Sequence, residues 1–129
     1  MSAVKGIGVD LVRVERMRKM MERWDRRFLS RVFTPEELSY CLKRRRPEQH
    51  LAARFAAKEA ALKALGTGLS MGVRWREIEV RRSRGEAPTI HFSGRTGALS
   101  QERGTARGLV SLTHDGEYAM AQVLLVGDE

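Results

Sequence analysis

Residues 49–66 read QHLAARFAAKEAALKALG, and this stretch decides the fold. It is rich in alanine, a strong helix former, and it ends at Gly66, a residue type that commonly terminates helices. When the stretch is projected at about 100° per residue, four large apolar side chains fall within roughly 80° of one another: Leu51, Phe55, Leu62 and Leu65. The pattern therefore predicts a helix over residues 49–65 that packs one face against the rest of the molecule.

Three charged side chains interrupt that apolar face. Lys58 falls in its middle, while Glu59 and Arg54 border its two edges. Ionised groups on a core-facing stripe are costly unless they are paired or bound to a metal. Two interpretations remain open: the charges pair with neighbouring groups for structural reasons, or they face a site that requires fixed charges.

The start of the chain predicts a strand that ends on a carboxylate. Residues 4–10 are mostly small or β-branched, and Gly6 and Gly8 indicate close approach by another backbone segment or by a ligand. Asp10 either caps the helix that is predicted to begin at Leu11 or, with a carboxylate of a neighbouring helix, holds Mg²⁺. The sequence leaves both interpretations open.

A helical period follows that strand. One predicted buried stripe consists of Val14, Met17, Met21 and Trp24. Four arginines are predicted to share an adjacent face: Arg13, Arg16, Arg23 and Arg27. They form either solvated surface or a docking face for an acidic partner.

The segment FTPEE at residues 33–37 predicts the start of another helix. Thr34 is a suitable N-cap, Pro35 suits the first turn, and Glu37 completes a capping box. This helix is expected to end before Pro47, because proline disrupts a helix interior.

The second half of the chain predicts a sheet. Four segments are typical of strands: 75–80, 89–92, 109–114 and 117–126. Asp115 and Gly116 predict a two-residue hairpin between the last two strands, and residues 94–103 predict a short, weak helix. We therefore predict an α+β fold in one domain over residues 1–129, with helices packed on a mostly antiparallel sheet.

Composition limits the possible functions. The net charge of +8 favours anionic partners, which include nucleic acid, phosphorylated cofactors and acidic proteins. A nucleic-acid-binding module and a non-catalytic adaptor for acidic proteins are the alternatives to an enzyme, although an aromatic content of 6% gives a base-stacking platform little support. The lone Cys41 predicts a reducing compartment such as the cytoplasm, and no apolar run approaches the ~20 residues of a membrane span.

No familiar catalytic motif supplies a nucleophile. The chain has no Walker loop, dinucleotide fingerprint or zinc-ligand spacing, and its three histidines belong to no recognisable nucleophile–base motif. An enzyme with this sequence is expected to position phosphate and metal while a partner supplies the nucleophile.

Three stretches in the same order resemble the short, holo-acyl-carrier-protein-synthase class of phosphopantetheinyl transferases. They are GIGVD at 6–10, RFAAKEA at 54–60 and SLTH at 111–114, and the FTPEE helix start and the GTG loop at 66–68 also fit. The resemblance implies transfer of the 4'-phosphopantetheine group of coenzyme A to a serine of an apo acyl carrier protein. It further implies a role in fatty-acid biosynthesis and an assembly of three subunits with active sites at their interfaces.

The resemblance also implies roles for individual residues. Asp10 and Glu59 are the expected Mg²⁺ ligands, and together with Lys63 they are the expected catalytic residues. The expected coenzyme A contacts are Arg54, Lys58, Lys63, Gly66, Thr67, Thr113 and His114, with Pro88 reaching the cofactor of a neighbouring subunit. Arg16 and Arg27 are the expected docking residues for an acidic carrier protein, and neither nucleic acid nor membrane is an expected partner.

Overall fold

A computed structural model describes residues 2–23 and 26–128. Its five strands are β1 Ser2–Arg13, β2 Ile78–Arg81, β3 Thr89–Phe92, β4 Arg107–His114 and β5 Tyr118–Asp128. Its α-helices are α1 Val14–Arg23, α2 Arg26–Val32, α3 Pro35–Leu42, α4 Pro47–Leu65 and α5 Gly94–Glu102. The strands form one antiparallel sheet in the order β1-β5-β4-β3-β2, which confirms the predicted α+β fold.

Helix α4 lies on one face of this sheet and forms the centre of the core. Thirteen of its side chains are buried, which is why its sequence is apolar or alanine on nearly every side. The helix ends at Gly66, whose φ of 76° lies in the left-handed region that glycine adopts without steric cost. The predicted helix and its C-terminal stop are both confirmed.

Glycines in β1 allow α4 to approach closely. A Cβ atom at Gly6 would collide with the carbonyl oxygen of Ala64, and one at Gly8 would collide with that of Ala60. Side chains two residues apart in a strand share a face, so Asp10 lies on the same face as these two glycines. The close approach predicted from the glycines is made by the helix backbone, and it brings Asp10 beside α4.

The strand-to-helix boundary differs from the prediction. Strand β1 continues to Arg13 because its residues keep pairing with β5, with Asp10 opposite Ala121 and Val12 opposite Ala119. Asp10 therefore lies inside a strand, and the interpretation of Asp10 as the cap of the following helix is wrong. Helix α1 buries Val14 and Met17 as predicted, while Trp24 lies outside the described residues.

The four arginines predicted to share one helix face lie in three elements. Arg13 ends β1, Arg16 and Arg23 lie in α1, and Arg27 lies in α2. All four are exposed. Arg13 lies in a strand, so no single helix face carries all four arginines, and their role in docking stays a prediction.

Two local expectations in the second half are also corrected. Residues Trp75–Glu77 form a 3₁₀ turn rather than the start of a strand, because the Glu77 carboxylate accepts N–H bonds from Arg95 and Thr96 at the start of α5. The hairpin between β4 and β5 has one more loop residue than predicted. There the Asp115 carboxylate accepts N–H bonds from Glu117 at 2.9 Å and Tyr118 at 2.7 Å.

Candidate active site

The carboxylate of Asp10 and the ammonium group of Lys63 form an ion pair between β1 and α4. The Lys63 Nζ donates to Asp10 Oδ1 at 2.8 Å and to the Val9 carbonyl oxygen at 3.1 Å. The Asp10 side chain is 12% exposed and that of Lys63 is 55% exposed, so the pair lies at the edge of the core and opens to solvent. Hydrogen bonding to Asp10 raises the pKa of Lys63 and keeps the ammonium group charged.

Glu59 joins this pair from the same helix. Burial raises the pKa of Glu59, and the negative charge of Asp10 raises it further, while the nearby charges of Arg16 and Lys63 act in the opposite direction. Lys63 follows Glu59 by four positions on the same helix face and bonds Asp10, so both carboxylates lie at this edge of α4. Within the described residues, the Glu59 side chain forms no ion pair or hydrogen bond, so its carboxylate is available to a ligand.

This donor set fits a hard divalent cation that keeps part of its water shell. Magnesium is usually bound by one or two carboxylates, with waters and substrate phosphate oxygens completing its coordination. Asp10 and Glu59 provide two carboxylates. Among residues 2–23 and 26–128, no group of three or more His, Cys, Asp or Glu side chains has the arrangement of an all-protein metal cage.

A second cluster lies at the N-terminal end of α4 and consists of Arg54, His50, His114, Arg44 and Tyr40. The rings of His50 and His114 lie 5.4 Å apart. The guanidinium carbons of Arg44 and Arg54 lie 4.1 Å and 4.2 Å from the centre of the Tyr40 ring. We call this group the basic cluster.

The charge and burial of the basic cluster fit a bound anion. Burial lowers the pKa of His50, and the positive charges of His114, Arg54, Arg44 and Arg82 lower it further. Arg54 is only 3% exposed, yet its Nε has no hydrogen-bond partner and its Nη1 reaches only the His50 carbonyl oxygen at 3.5 Å. A buried cation without a carboxylate partner is unfavourable, and a bound phosphate would supply the missing acceptors.

The structure places Lys58 away from both groups. Its side chain is fully buried, its Nζ forms an ion pair with Glu37 Oε1 at 2.7 Å, and it also donates to the carbonyl oxygens of Trp75 and Ile78. All three of its N–H donors are satisfied by the protein. This placement does not support a contact between Lys58 and a coenzyme A phosphate. The structural interpretation of Lys58 from the sequence is the one that the contacts favour.

The loop after α4 is held mainly by its own backbone and by α5. Thr67 is 8% exposed, and its hydroxyl donates to the Gly68 carbonyl oxygen at 2.8 Å. Arg103 donates from its guanidinium to the Leu65 carbonyl oxygen, which fixes the point where α4 ends. Gly66 is exposed at that point, but its N–H donates to the carbonyl oxygens of Leu62 and Lys63, and the Thr67 hydroxyl is likewise already used.

Within one chain, the structure does not bring three of the predicted contact residues to the carboxylate site or to the basic cluster, namely Thr113, Pro88 and Arg27. Thr113 pairs with Met120 and lies on the opposite face of β4 from His114, because neighbouring strand residues alternate in direction. Pro88 precedes β3 and lies on the side of the sheet away from the Asp10 strand. Arg27 lines a hollow of about 1,100 Å³ between α2 and the 3₁₀ turn, whereas Arg16 lines a different hollow beside α1.

Sequence reasoning missed part of the basic cluster. No motif in the sequence points to His50, Tyr40 or Arg44. The signal for His50 was present, because residues four apart share a helix face and His50 precedes Arg54 by four positions. The Tyr40 contact crosses from α3 to α4 and carries no such local signal.

Comparison with known proteins links this geometry to one enzyme family. Residues 6–123 match the model of the 4'-phosphopantetheinyl transferase superfamily. A holo-[acyl-carrier-protein] synthase of Syntrophotalea carbinolica is 45% identical over 128 residues, which cover 99% of this chain and 100% of that protein.

Solved structures are similar over nearly the whole chain. The crystal structure of a holo-[acyl-carrier-protein] synthase from Neisseria meningitidis superposes with a TM-score of 0.86 at 31% identity, covering 95% of this chain and 98% of that one. A Helicobacter pylori holo-[acyl-carrier-protein] synthase in complex with coenzyme A has a TM-score of 0.81 at 29% identity, covering 92% and 98%.

Proposed function

Because the chain belongs to the 4'-phosphopantetheinyl transferase superfamily, we propose that it transfers the phosphopantetheine arm of coenzyme A to a serine of an apo acyl carrier protein. The chain is an enzyme, and its donor substrate is coenzyme A. The observation that carries the proposal is the convergence of Asp10, Glu59 and Lys63 at one solvent-accessible edge of α4.

In the proposed reaction, the serine hydroxyl of the carrier attacks the β-phosphorus of coenzyme A. A bond forms between the serine oxygen and that phosphorus, the pyrophosphate bond breaks, and adenosine 3',5'-bisphosphate leaves with the electron pair. Negative charge grows on the phosphate oxygens and on the leaving group. The ammonium group of Lys63 would stabilise that charge at the carboxylate site, and Glu59 would accept the serine proton directly or through a water.

Asp10 and Glu59 would hold Mg²⁺, which supplies Lewis-acid stabilisation of the phosphate oxygens. Lys63 orients Asp10 through their ion pair at 2.8 Å. The protein keeps both carboxylates partly shielded from water, which strengthens their attraction for a cation.

The basic cluster is the proposed site for the adenosine-phosphate end of coenzyme A. The resemblance implies that Arg54 and His114 contact the cofactor, and both residues contact His50. Arg54 and Glu59 are five positions apart on α4, which is about 7.5 Å along the helix axis. Coenzyme A would contact both groups through the phosphates at the two ends of its nucleotide.

The mass of the carrier protein tests the proposed function directly. Incubation of an apo carrier with this protein, coenzyme A and Mg²⁺ is expected to add the mass of one phosphopantetheine group. The product is expected only when all components are present. An unmodified carrier in the complete mixture, with a known transferase as positive control, would refute the proposal.

Arg16 is the proposed contact for an acidic surface of the carrier, because it is exposed and its charge reaches Glu59. We expect Arg16→Glu to raise the KM for the carrier by about tenfold and to change the salt dependence of the rate, because charges at the rim of an interface act mainly through steering. Steady-state kinetics at several salt concentrations measure both effects.

Lys5→Glu is the matched control for that variant. It makes the same change in net charge on an exposed residue near the opposite end of β1. An equal rise in KM for both variants would show that net charge matters and that Arg16 has no specific docking role.

We propose a homotrimer that uses the open face of the sheet. Alternate residues of β1, β4 and β5 leave large apolar side chains between 41% and 63% exposed on this face, namely Val4, Ile7, Val9, Leu11, Leu109 and Met120. Exposed apolar patches of this kind mark protein interfaces. An assembly would also allow Pro88, which precedes a strand, β3, that is separated from β1 by two others, to reach the cofactor of a neighbouring subunit as the resemblance implies.

Leu109→Glu is expected to shift the protein from about three times the 14.6-kDa chain mass to one chain mass, because it places a charge in the centre of that face. Leu42→Glu is the matched control, since Leu42 is 47% exposed on α3 and Leu109 is 46% exposed on the sheet. Light scattering coupled to gel filtration measures the mass. A single chain mass for the unaltered protein would exclude the proposed assembly.

The cytoplasm is the proposed location. Burial raises the pKa of the Cys41 thiol to about 12, which keeps the group inert inside the core. Within the described residues, no helical segment combines the length and apolar character that a membrane-spanning segment requires.

A further inference from the structure

We infer that Tyr40 is a positioning residue that holds the Arg54 guanidinium ready for a phosphate group of the donor substrate. The inference rests on the proposed function, because it concerns the basic cluster where the adenosine-phosphate end of coenzyme A is expected. Neither the sequence motifs nor the expected contact residues include Tyr40.

Few contacts limit the movement of the Arg54 guanidinium. Its guanidinium has no carboxylate partner, its Nε has no hydrogen-bond partner, and its contact with the His50 carbonyl oxygen is long at 3.5 Å. The centre of the Tyr40 ring lies 4.2 Å from the guanidinium carbon, so the ring lies against one face of that group. A flexible arginine that lacks strong acceptors is therefore restrained mainly by an aromatic face.

Two positive charges lie beside the Tyr40 ring. The guanidinium carbon of Arg44 also lies 4.1 Å from the centre of the Tyr40 ring, so one ring contacts two guanidinium groups. Two like charges repel each other, and the negative face of an aromatic ring offsets part of that repulsion. Tyr40 thereby allows two arginines to stay near His50 and His114 before any anion arrives.

The contacts of Tyr40 are made by its ring and not by its hydroxyl. Among the described residues, the Tyr40 hydroxyl forms no hydrogen bond, while its ring also contacts His50 with centroids 6.1 Å apart. The ring alone therefore carries the proposed role. Phenylalanine at this position should preserve it, whereas leucine keeps an apolar side chain but removes the aromatic face.

Loss of the Tyr40 ring should weaken the binding of coenzyme A. Arg54 that is already oriented loses less conformational freedom when a phosphate binds. Without the ring, the guanidinium must be ordered by the ligand itself. The cost falls on the ground state and the transition state alike, so the KM for coenzyme A should rise while kcat is preserved.

The test compares Tyr40→Leu and Tyr40→Phe by calorimetric titration with adenosine 3',5'-bisphosphate and with adenosine 5'-monophosphate. Tyr40→Leu is expected to weaken binding of the bisphosphate by about tenfold, in line with a partly desolvated cation–π contact. Binding of the monophosphate is expected to change little. Tyr40→Phe is expected to match the unaltered protein with both ligands, and the thermal midpoints of the variants should be recorded at one protein concentration.

Steady-state kinetics supply a second readout. The inference requires a higher KM for coenzyme A in Tyr40→Leu with kcat within about twofold of the unaltered protein. Unchanged bisphosphate affinity in Tyr40→Leu, or an equal loss in Tyr40→Phe, would overturn the role of the ring. A lower thermal midpoint with unchanged affinity would assign Tyr40 to packing alone and also overturn it.

Arg54→Gln separates this inference from the proposed function. If that variant binds the bisphosphate as the unaltered protein does while transfer persists, the proposed phosphate contact of Arg54 is wrong and the role of Tyr40 falls with it. If the unaltered protein transfers nothing to an apo carrier, the proposed function is wrong. Loss of affinity in both Arg54→Gln and Tyr40→Leu, with Tyr40→Phe unaffected, supports the inference.

Discussion

The Glu59→Gln variant is expected to lose at least about 99% of its transfer activity while it keeps its fold. Outer-sphere partners of metal ligands already contribute about 10- to 100-fold, so loss of a proposed direct ligand should cost no less. The substitution preserves the size of the side chain and removes only its charge. Glu59 makes no ion pair within the described residues, so its loss removes no internal contact that stabilises the fold.

Asp10→Asn is expected to reduce transfer to a similar extent for a partly different reason. This change removes the second carboxylate and also weakens the ion pair with Lys63, which spans β1 and α4. Rates are measured from the gain in mass of the apo carrier, and Mg²⁺ binding is measured by calorimetry in the presence of coenzyme A. Both variants should bind Mg²⁺ more weakly than the unaltered protein.

Glu102→Gln is the control for these carboxylate changes. Glu102 is an exposed carboxylate in α5 whose nearest ion-pair contact is with Arg95 at 4.0 Å. Its variant should retain full activity. The assignment of the carboxylate pair would be abandoned if Glu59→Gln and Asp10→Asn both kept more than half of the unaltered rate.

Lys58→Met is expected to lower the free energy of unfolding by about 3–5 kcal/mol, since removal of one partner leaves the other charge buried and unpaired. The affected carboxylate belongs to Glu37, which accepts hydrogen bonds from the backbone N–H groups of Thr34 and Val80, each at 2.9 Å. Glu37 thus joins the start of α3, the middle of α4 and strand β2. Loss of the ammonium group weakens all three connections.

Denaturation by urea at one fixed protein concentration measures this effect. Arg18→Ala is the matched control, because Arg18 pairs with Glu15 and Glu22 on an exposed face of α1. Exposed ion pairs contribute about 0–1 kcal/mol, so the control should remain close to the unaltered protein. A loss below about 1 kcal/mol in Lys58→Met would contradict the structural role of the buried pair.

The double variant Glu37→Leu with Lys58→Met separates pairing from packing. Replacement of a whole buried ion pair by apolar groups is often far less damaging than removal of one partner. The double variant is therefore expected to be more stable than the sum of its two single changes predicts. Additive losses would indicate that each side chain acts independently.

Local patterns in the sequence determined several elements of this protein. The capping box of Thr34 and Glu37, the alanine-rich helix and its stop at Gly66 depend on residues within a few positions of one another. The Gly-x-Gly-x-Asp spacing of residues 6–10 placed two glycines and a carboxylate on one strand face, because strand side chains alternate. Such signals are readable because their physical cause is short in range.

Only the tertiary structure decided which distant groups meet. Pairing with β5 extended β1 to Arg13 and kept Asp10 in a strand, and the burial of α4 directed Lys58 to Glu37 instead of a ligand. The contact between Tyr40 and Arg54 likewise depends on how α3 packs on α4. These outcomes follow from the packing of whole elements, whose energies depend on partners far away in the chain, and no local pattern encodes that choice.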